Sequence, residues 1–157
     1  MRQKRIVLIN DVTGYSRCSV AVQLPIISAM AIECVFVPTA ILSINTYHPG
    51  YFFDDYTDKM NDYIATYKNM KLEFDGIVTG FLGSAKQIDI VIDFIKYFKH
   101  QNTFVLVDPV MGDHGKLYPT YTVKMQEKMR ELIPYASIMT PNLTELCALL
   151  NIEYPNR

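Results

Sequence analysis

The feature of this sequence that most restricts its fold is an alternation of short apolar runs with stretches of helical period. Five runs have the length and the β-branched content of buried strands: residues 5–9, 34–38, 74–79, 103–108 and 136–139. Between them, residues 19–31 form a mostly apolar segment that predicts a helix packed on a sheet. Strands that alternate with helices are typical of βαβ units, so the pattern predicts an α/β fold with a mainly parallel sheet.

Two further segments carry apolar residues at helical spacing. The first stripe comprises Tyr56, Met60, Tyr63, Ile64 and Tyr67, and the second comprises Ile88, Val91, Ile92, Ile95 and Phe98. Amphipathic helices of this kind usually bury their apolar face against a sheet, so we interpret both stripes as core packing.

Length and composition favour a single domain, residues 1–157, since 157 residues of which 50% are hydrophobic suffice for one core. A formal net charge of -1 leaves no basic field for a nucleic acid, and the apolar runs are too short to span a bilayer. Cys18, Cys34 and Cys147 are odd in number and lack metal-ligand spacing. We therefore expect a cytoplasmic protein with reduced thiols, without a nucleic-acid or membrane partner and without a signal peptide.

Every predicted strand is followed by a segment that is polar, contains glycine, or both. These segments are residues 10–17, 39–48, 79–84, 108–113 and 140–145. Ligands of open parallel sheets bind beyond the carboxyl ends of the strands. The sequence therefore predicts that these five segments meet at one edge of the sheet and form a site there.

The most acidic of these segments is "VDPVMGDHG", residues 107–115. Asp108 precedes a proline, which restricts its backbone, and Asp113 follows a glycine in a stretch where the chain can approach a bulky ligand. Together with Asn142 and Glu145, these acids offer oxygen ligands of the kind that Mg²⁺ shares with phosphate groups. The pattern indicates phosphoryl-transfer chemistry.

Local explanations exist for the same residues. Asp108 can cap a neighbouring loop, and Asp113 can be a turn residue that tolerates an unusual backbone angle. Glu145 follows Asn142 by three residues, which is the spacing of a capping box at a helix start. The sequence alone leaves both interpretations open.

Five segments resemble the pyridoxal/pyridoxamine kinase branch of the ribokinase-like superfamily, in order and over essentially the whole chain. They are "NDVTGYSRCSVAVQLPIISAM", "PTAILSINTYH", "TGFLGSAKQ", "VDPVMGDHGKLY" and "TPNLTEL". The last two are shared with related vitamin kinases, whereas the first two narrow the resemblance toward pyridoxamine kinase. It implies a ribokinase-like three-layer αβα fold, truncated at the C-terminus, and ATP-dependent, Mg²⁺-assisted phosphorylation of the 5'-hydroxymethyl group of a vitamin B6 vitamer: pyridoxal, pyridoxamine or pyridoxine.

The resemblance also assigns substrate-side residues. It places Asp11 at the pyridine ring, Ser43, Asn45 and Thr46 in the loop that closes over the substrate, and Phe81 near the ring. Asn45 stands where similar loops carry a histidine, so this contact departs from the family pattern. Phe81 has an alternative interpretation as a core residue at a strand end.

On the nucleotide side, the resemblance implies roles for Asp113, Asn142 and Glu145, with Asp113 and Glu145 at the Mg²⁺. In similar kinases a GxGD segment supplies the general base and an anion hole of backbone N–H groups at a helix N-terminus. The 157 residues contain no GxGD. We therefore predict no catalytic residue in this chain and little kinase activity from it alone. The strands missing relative to such kinases would leave a sheet edge uncovered, and similar kinases commonly dimerise, so we expect a homodimer.

The sequence leaves two other functions open and disfavours a third. One is a kinase of hydroxymethylpyrimidine or its phosphate, which shares the phosphate-side motifs. Another is a non-catalytic half-kinase that binds a B6 vitamer without converting it. A Rossmann-type nucleotide-binding domain is disfavoured, because no G-x-G-x-x-G opens a helix after the first strand.

Overall fold

The computed structural model describes residues 2–155, in which strands and helices alternate as the sequence predicts. The strands are β1 (Arg5–Tyr15), β2 (Glu33–Ile44), β3 (Phe53–Asp55), β4 (Gly76–Thr79), β5 (Phe104–Val107), β6 (Gly112–Asp113), β7 (Lys116–Leu117) and β8 (Ile138–Met139). The helices are α1 (Val20–Ala29), α2 (Thr57–Asn69), α3 (Ala85–Phe98), α4 (Val123–Leu132) and α5 (Leu143–Leu150), with a 3-10 turn at Ile133–Tyr135.

Six strands form one sheet in the order β3-β2-β1-β4-β5-β8. The neighbours β2 and β1, β1 and β4, β4 and β5, and β5 and β8 all pair in parallel, whereas the short β3 runs antiparallel to β2 at one edge. β6 and β7 form a separate two-stranded hairpin. The predicted mainly parallel α/β sheet is therefore confirmed.

The core lies between the sheet and the helices α2, α3 and α4. In α3 the predicted stripe is fully buried, and in α2 Met60 and Ile64 are buried while the tyrosines of the stripe pack partly buried against the core. The rings of Phe94 and Phe98 lie 4.4 Å apart between centroids, and Phe74 packs on both. The core-packing interpretation of the two stripes is confirmed.

The first two strands extend beyond their predicted ends. The sequence predicts that residues 10–17 and 39–48 are polar segments that follow the first two strands, but in the structure β1 continues to Tyr15 and β2 to Ile44. Beyond the reach of β4, the two strands pair with each other, for example Val12 with Ile41 and Tyr15 with Ile44. These pairings satisfy the backbone polar groups, so the polar sequence there does not interrupt the strands. Strands as short as β3, β6 and β7 carry too little periodicity to be predicted.

The outermost parallel strand, β8, pairs with β5 on one side and has no strand partner on its other side within residues 2–155. Ile138 in this strand is 48% exposed. The homodimer expected from an uncovered sheet edge stays a prediction. None of the helices in residues 2–155 has the length and apolar character that crossing a membrane requires.

Candidate active site

A cavity of about 440 Å³ lies at the carboxyl edge of the parallel sheet. Its walls come from the end parts of β1 and β2 and from segments after β2, β4, β5 and β7, including Asp11, Asn45, Thr46, Phe81, Val110 and Tyr118. Residues of four of the five predicted segments thus meet in one place, whereas the fifth segment, residues 140–145, does not line the cavity. Four of the five predicted substrate-side residues, Asp11, Asn45, Thr46 and Phe81, line the same cavity.

Asp11 lies where the register between β1 and β2 shifts, between Asn10 and Val12. A bulge of this kind redirects a side chain, and both Asn10 and Asp11 are buried there. Asp11 is 4% exposed, and its Oδ2 accepts a hydrogen bond of 2.6 Å from the Thr13 hydroxyl. A buried carboxylate is stable only when it is paired or hydrogen-bonded, so a ligand with an N–H donor suits this wall of the cavity.

Phe81 follows β4 and is held through its backbone as well as its ring. Its N–H donates to the side-chain oxygen of Asn10 at 2.8 Å, and its carbonyl accepts from the Thr39 hydroxyl at 2.8 Å. Its ring packs edge-on against Phe53, with centroids 6.3 Å apart. Phe81 thus lines the cavity and also packs against Phe53, and its place near a substrate ring stays a prediction.

The segment after β2 forms the rim of the cavity. The side-chain oxygen of Asn45 accepts from the Tyr47 N–H at 3.2 Å, and its carbonyl accepts from the His48 N–H at 3.2 Å, so the segment turns tightly. Ser43 is the exception among the predicted substrate-side residues. Its hydroxyl accepts from the Phe52 N–H at 2.9 Å, and Ser43 does not line the cavity. The structure therefore gives Ser43 a role in joining β2 to the chain before β3, and its substrate contact stays a prediction.

The start of α5 contains the predicted capping box. The Asn142 side-chain oxygen accepts from the Glu145 N–H at 3.0 Å, and the Glu145 carboxylate accepts from the Asn142 N–H at 2.8 Å. The same two side chains reach the β6 region, because Asn142 donates to the Gly112 carbonyl at 2.8 Å and Glu145 accepts from the Met111 N–H at 3.1 Å. The capping interpretation is confirmed, and the cap also fixes α5 to the acidic segment.

Asp113 lies on the β6–β7 hairpin with its side chain 55% exposed. One of its carboxylate oxygens accepts from the His114 N–H at 2.8 Å. Asp113 does not line the cavity, but Tyr118 connects the two regions. Burial raises the pKa of Tyr118, and the negative charges of Asp113, Glu145 and Asp108 raise it further. The acidic residues therefore lie close enough to the cavity wall to act on it electrostatically.

The pKa values of a partly buried acid, Asp108, and a buried acid, Glu145, rise in this region. Burial raises the pKa of Asp108, against a smaller opposing effect of the Thr140 hydroxyl. Burial also raises the pKa of Glu145; its backbone N–H partners oppose this rise, and the charge of Asp108 adds to it. A nearby cation would favour the ionised form of both groups.

The residues predicted to hold Mg²⁺ fit that ion unequally. Within residues 2–155, the structure contains no group of three or more His, Cys, Asp or Glu side chains that could hold a metal ion. Asp113 is open to solvent, which suits an ion that keeps most of its water ligands. Each oxygen of Glu145 already accepts a backbone N–H bond, so its geometry favours a structural role. The metal roles of Asp113 and Glu145 stay predictions.

Several residues of the site were not singled out from the sequence. Tyr118 lines the cavity. It is the last residue of the motif "VDPVMGDHGKLY", but the sequence assigns it no function. Thr13 and Tyr51 also line the cavity. For Asn10, the sequence predicts only that it belongs to the polar segment of residues 10–17. Its position directly after the apolar run "RIVLI" is nevertheless a signal for a buried polar contact.

Comparison with known proteins gives a consistent family. The model of the phosphomethylpyrimidine kinase family matches residues 22–157. A pyridoxine/pyridoxal/pyridoxamine kinase of Bordetella avium is 32% identical over 94% of this chain, and the match covers 52% of that protein. A Bacteroides thetaiotaomicron protein assigned to the phosphomethylpyrimidine kinases, crystallised with pyridoxal, superposes with a TM-score of 0.96 at 44% identity, over 99% of this chain and 55% of the other.

Pyridoxal kinase from Lactobacillus plantarum superposes with a TM-score of 0.91 at 26% identity, over 97% of this chain and 54% of that one. The chain therefore spans about half the length of these relatives. The family match begins at residue 22 and so leaves out β1 and the cavity residues Cys18 and Ser19, whereas the superposition on the Bacteroides thetaiotaomicron protein covers 99% of the chain. The chain belongs to the phosphomethylpyrimidine kinase family, as a pyridoxal kinase-like member of the ribokinase-like superfamily.

Proposed function

We propose that this chain provides the vitamer-binding part of a kinase that transfers phosphate from ATP to the 5'-hydroxymethyl group of pyridoxal, pyridoxamine or pyridoxine. The observation that carries the proposal is that the buried residue Asp11 and the aromatic residue Phe81 line the same cavity. A B6 vitamer is a flat aromatic ring with a nitrogen that can carry a proton. Asp11 suits that nitrogen, and Phe81 suits the ring face or edge.

The size and lining of the cavity support a small polar heterocycle. A volume of about 440 Å³ lies within the usual range for small-molecule sites. Thr13, Asn45 and Thr46 add hydrogen-bonding groups to a largely apolar wall that includes Val110. Two relatives support the same ligand class, since the Bordetella avium protein is named for three B6 vitamers and the Bacteroides thetaiotaomicron protein was crystallised with pyridoxal.

The nucleotide side of the proposal rests on the acidic segment beside the cavity. Asp113 is the residue whose exposure best suits Mg²⁺, and the Asn142–Glu145 cap orders the backbone next to it. Bound Mg²⁺ would neutralise charge on the phosphates of ATP. The sequence contains no GxGD, so this chain's own contribution is to bind and orient the vitamer. The expected homodimer and the cytoplasmic location belong to the same proposal.

Calorimetry with the purified chain tests the binding proposal. We expect pyridoxal, pyridoxamine or pyridoxine to bind, and Asp11→Asn to weaken binding roughly tenfold, because a hydrogen bond to a charged group is lost. Asp62→Asn is the control, since Asp62 is exposed on α2 and does not line the cavity. Absence of binding for all three vitamers, or equal affinities for both variants, contradicts the proposal.

Turnover is tested separately. We expect the chain alone to show little ATP-dependent phosphorylation of pyridoxal, because the general base of similar kinases lies in a GxGD segment. Robust phosphorylation by the purified chain would show that its own residues supply the base. Binding without turnover, even when a GxGD-bearing segment of a relative is added, would favour a non-catalytic B6-binding half-kinase.

A second candidate function is phosphorylation of hydroxymethylpyrimidine or its phosphate. The match to the phosphomethylpyrimidine kinase family model favours it, because that family is named for this substrate. The same calorimetric panel separates the two candidates. Tight binding of hydroxymethylpyrimidine with no binding of B6 vitamers would select the second.

A further inference from the structure

We infer that Asn10 is the positioning residue of the cavity, and that its side-chain amide sets the placement of Asp11 relative to Phe81. The inference rests on the proposed function only in taking this cavity as the vitamer site. Asn10 lies at the end of the part of β1 that pairs with β4, is 5% exposed, and does not line the cavity. Its effect on a ligand therefore acts through its neighbours.

The side chain of Asn10 makes three hydrogen bonds, each to a different element. Its Oδ1 accepts from the Asp11 N–H at 3.0 Å and from the Phe81 N–H at 2.8 Å. Its Nδ2 donates to Oε1 of Gln23, in α1, at 3.1 Å. One amide oxygen thus joins the two residues that carry the substrate-side proposal, although 71 positions separate Asn10 from Phe81.

The chain around Asn10 is built to admit this side chain. The register shift between Asn10 and Val12 interrupts the regular pairing of β1 with β2 at this point. Gly80 lies against the amide, and a Cβ at Gly80 would be 2.5 Å or less from its carbon, nitrogen and oxygen atoms. The site therefore combines a bulge, a glycine and a buried amide, and each of these favours the close approach of β1 to the segment after β4.

A second hydrogen bond holds Phe81 through its carbonyl. The Thr39 hydroxyl donates to the Phe81 carbonyl, and the Thr39 carbonyl accepts from the buried side chain of Gln87 at 2.7 Å. Gln87 also accepts from the Gly83 N–H at 2.7 Å. The hydrogen bonds of Thr39 and Gln87 hold the segment without including Asp11, whereas the side chain of Asn10 bonds to both Asp11 and Phe81 and so couples the two cavity walls.

Asn10→Ala tests the inference, with Thr103→Val as the matched control. Thr103 is a buried side chain with two hydrogen bonds of its own, to the Phe74 carbonyl and from the His100 N–H, before β5. Both variants remove buried hydrogen bonds, but only Asn10→Ala removes them beside the cavity. Asn10→Asp is the rescue variant, since a carboxylate oxygen can accept both N–H bonds and Gln23 can turn its amide to donate.

The first measurement is amide hydrogen exchange resolved by NMR, which needs no ligand. In Asn10→Ala, we expect the Phe81 and Asp11 amides to exchange roughly tenfold faster relative to Gly80, whose N–H donates to the Ile9 carbonyl. In Thr103→Val, the His100 amide should lose protection while Phe81 keeps it. Asn10→Asp should restore Phe81 protection to within about threefold of the unsubstituted chain.

The second measurement is the affinity for pyridoxal by calorimetry. We expect roughly tenfold weaker binding for Asn10→Ala, and a change of about threefold or less for Asn10→Asp and Thr103→Val. Unchanged Phe81 exchange in Asn10→Ala overturns the inference, and so does equal loss of affinity in the alanine and valine variants. If the unsubstituted chain binds no vitamer, the proposed function fails, and the exchange of Phe81 still decides the role of Asn10.

Discussion

Replacing Gly80 by alanine should destabilise the protein far more than the same change at Gly83, three residues later in the segment "TGFLG". Both glycines follow β4, and the glycines with positive φ in residues 2–155 are Gly50 and Gly115, so neither substitution meets backbone strain of that kind. The two positions differ in their surroundings. A Cβ at Gly80 would overlap the amide of Asn10, whereas one at Gly83 would have its nearest neighbours at 3.6 and 3.7 Å.

The magnitude follows from the hydrogen bonds of Asn10. To admit the new methyl group, the Asn10 amide must leave its position, which unpairs the buried N–H groups of Asp11 and Phe81. An unpaired buried donor costs about 1–3 kcal/mol, so we expect Gly80→Ala to lower the free energy of unfolding by roughly 3 kcal/mol. At Gly83 the contacts are ordinary, and the expected change is within about 0.5 kcal/mol.

Urea denaturation followed by far-ultraviolet circular dichroism measures both values. A lower midpoint with an unchanged slope would show a loss of stability without a change in the surface exposed on unfolding. Pyridoxal affinity should fall with stability in Gly80→Ala and stay constant in Gly83→Ala. If the two variants unfold within about 0.5 kcal/mol of each other, the packing of Gly80 against Asn10 does not constrain the site and the reasoning is wrong.

Three further predictions concern the cap, the surface charges and the sheet edge. Asn142→Ala should cost about 1 kcal/mol in urea denaturation, because the capping box loses an acceptor for the Glu145 N–H; an unchanged midpoint would contradict this. The Lys4 ammonium, with the Arg5 N–H and Arg2, lowers the pKa of Asp75 to about 2. Because the ionised form is favoured in the fold, this stabilisation is present above pH of about 4 and is lost as pH falls toward 2. Asp75→Asn should therefore lower stability by about 1 kcal/mol at neutral pH and by nearly nothing near pH 2, and a pH-independent difference would refute that origin. Ile138→Lys on the exposed edge strand β8 should raise the monomer fraction in light scattering, whereas a stable monomer of the unsubstituted chain would contradict the expected homodimer.

The sequence was most informative where the controlling interactions are local. Helical spacing identified the buried faces of α2 and α3, because one apolar face of a helix must find the core whatever it packs against. The pair Asn142 and Glu145 identified its own capping box, since all four groups lie within one turn. The placement of polar segments at the ends of parallel strands predicted where a site forms, and the cavity lies there.

The sequence was least informative about the ends of β1 and β2. Pairing between the two strands, and not their own composition, keeps residues 12–15 and 41–44 extended. The polar residues of these segments predicted loops, because a sequence pattern does not show which backbone groups a neighbouring strand will satisfy.

By itself, the sequence determined the five parallel strands, the buried faces of α2 and α3 and the carboxyl edge as the location of a site, because period and strand polarity decide these features. Tertiary structure alone decided that Asn10 bonds to Phe81, that the β1 bulge buries Asp11 at the cavity, and that Asn142 and Glu145 reach Gly112 and Met111. These contacts join residues far apart in the chain, so a local pattern of residues could not predict them.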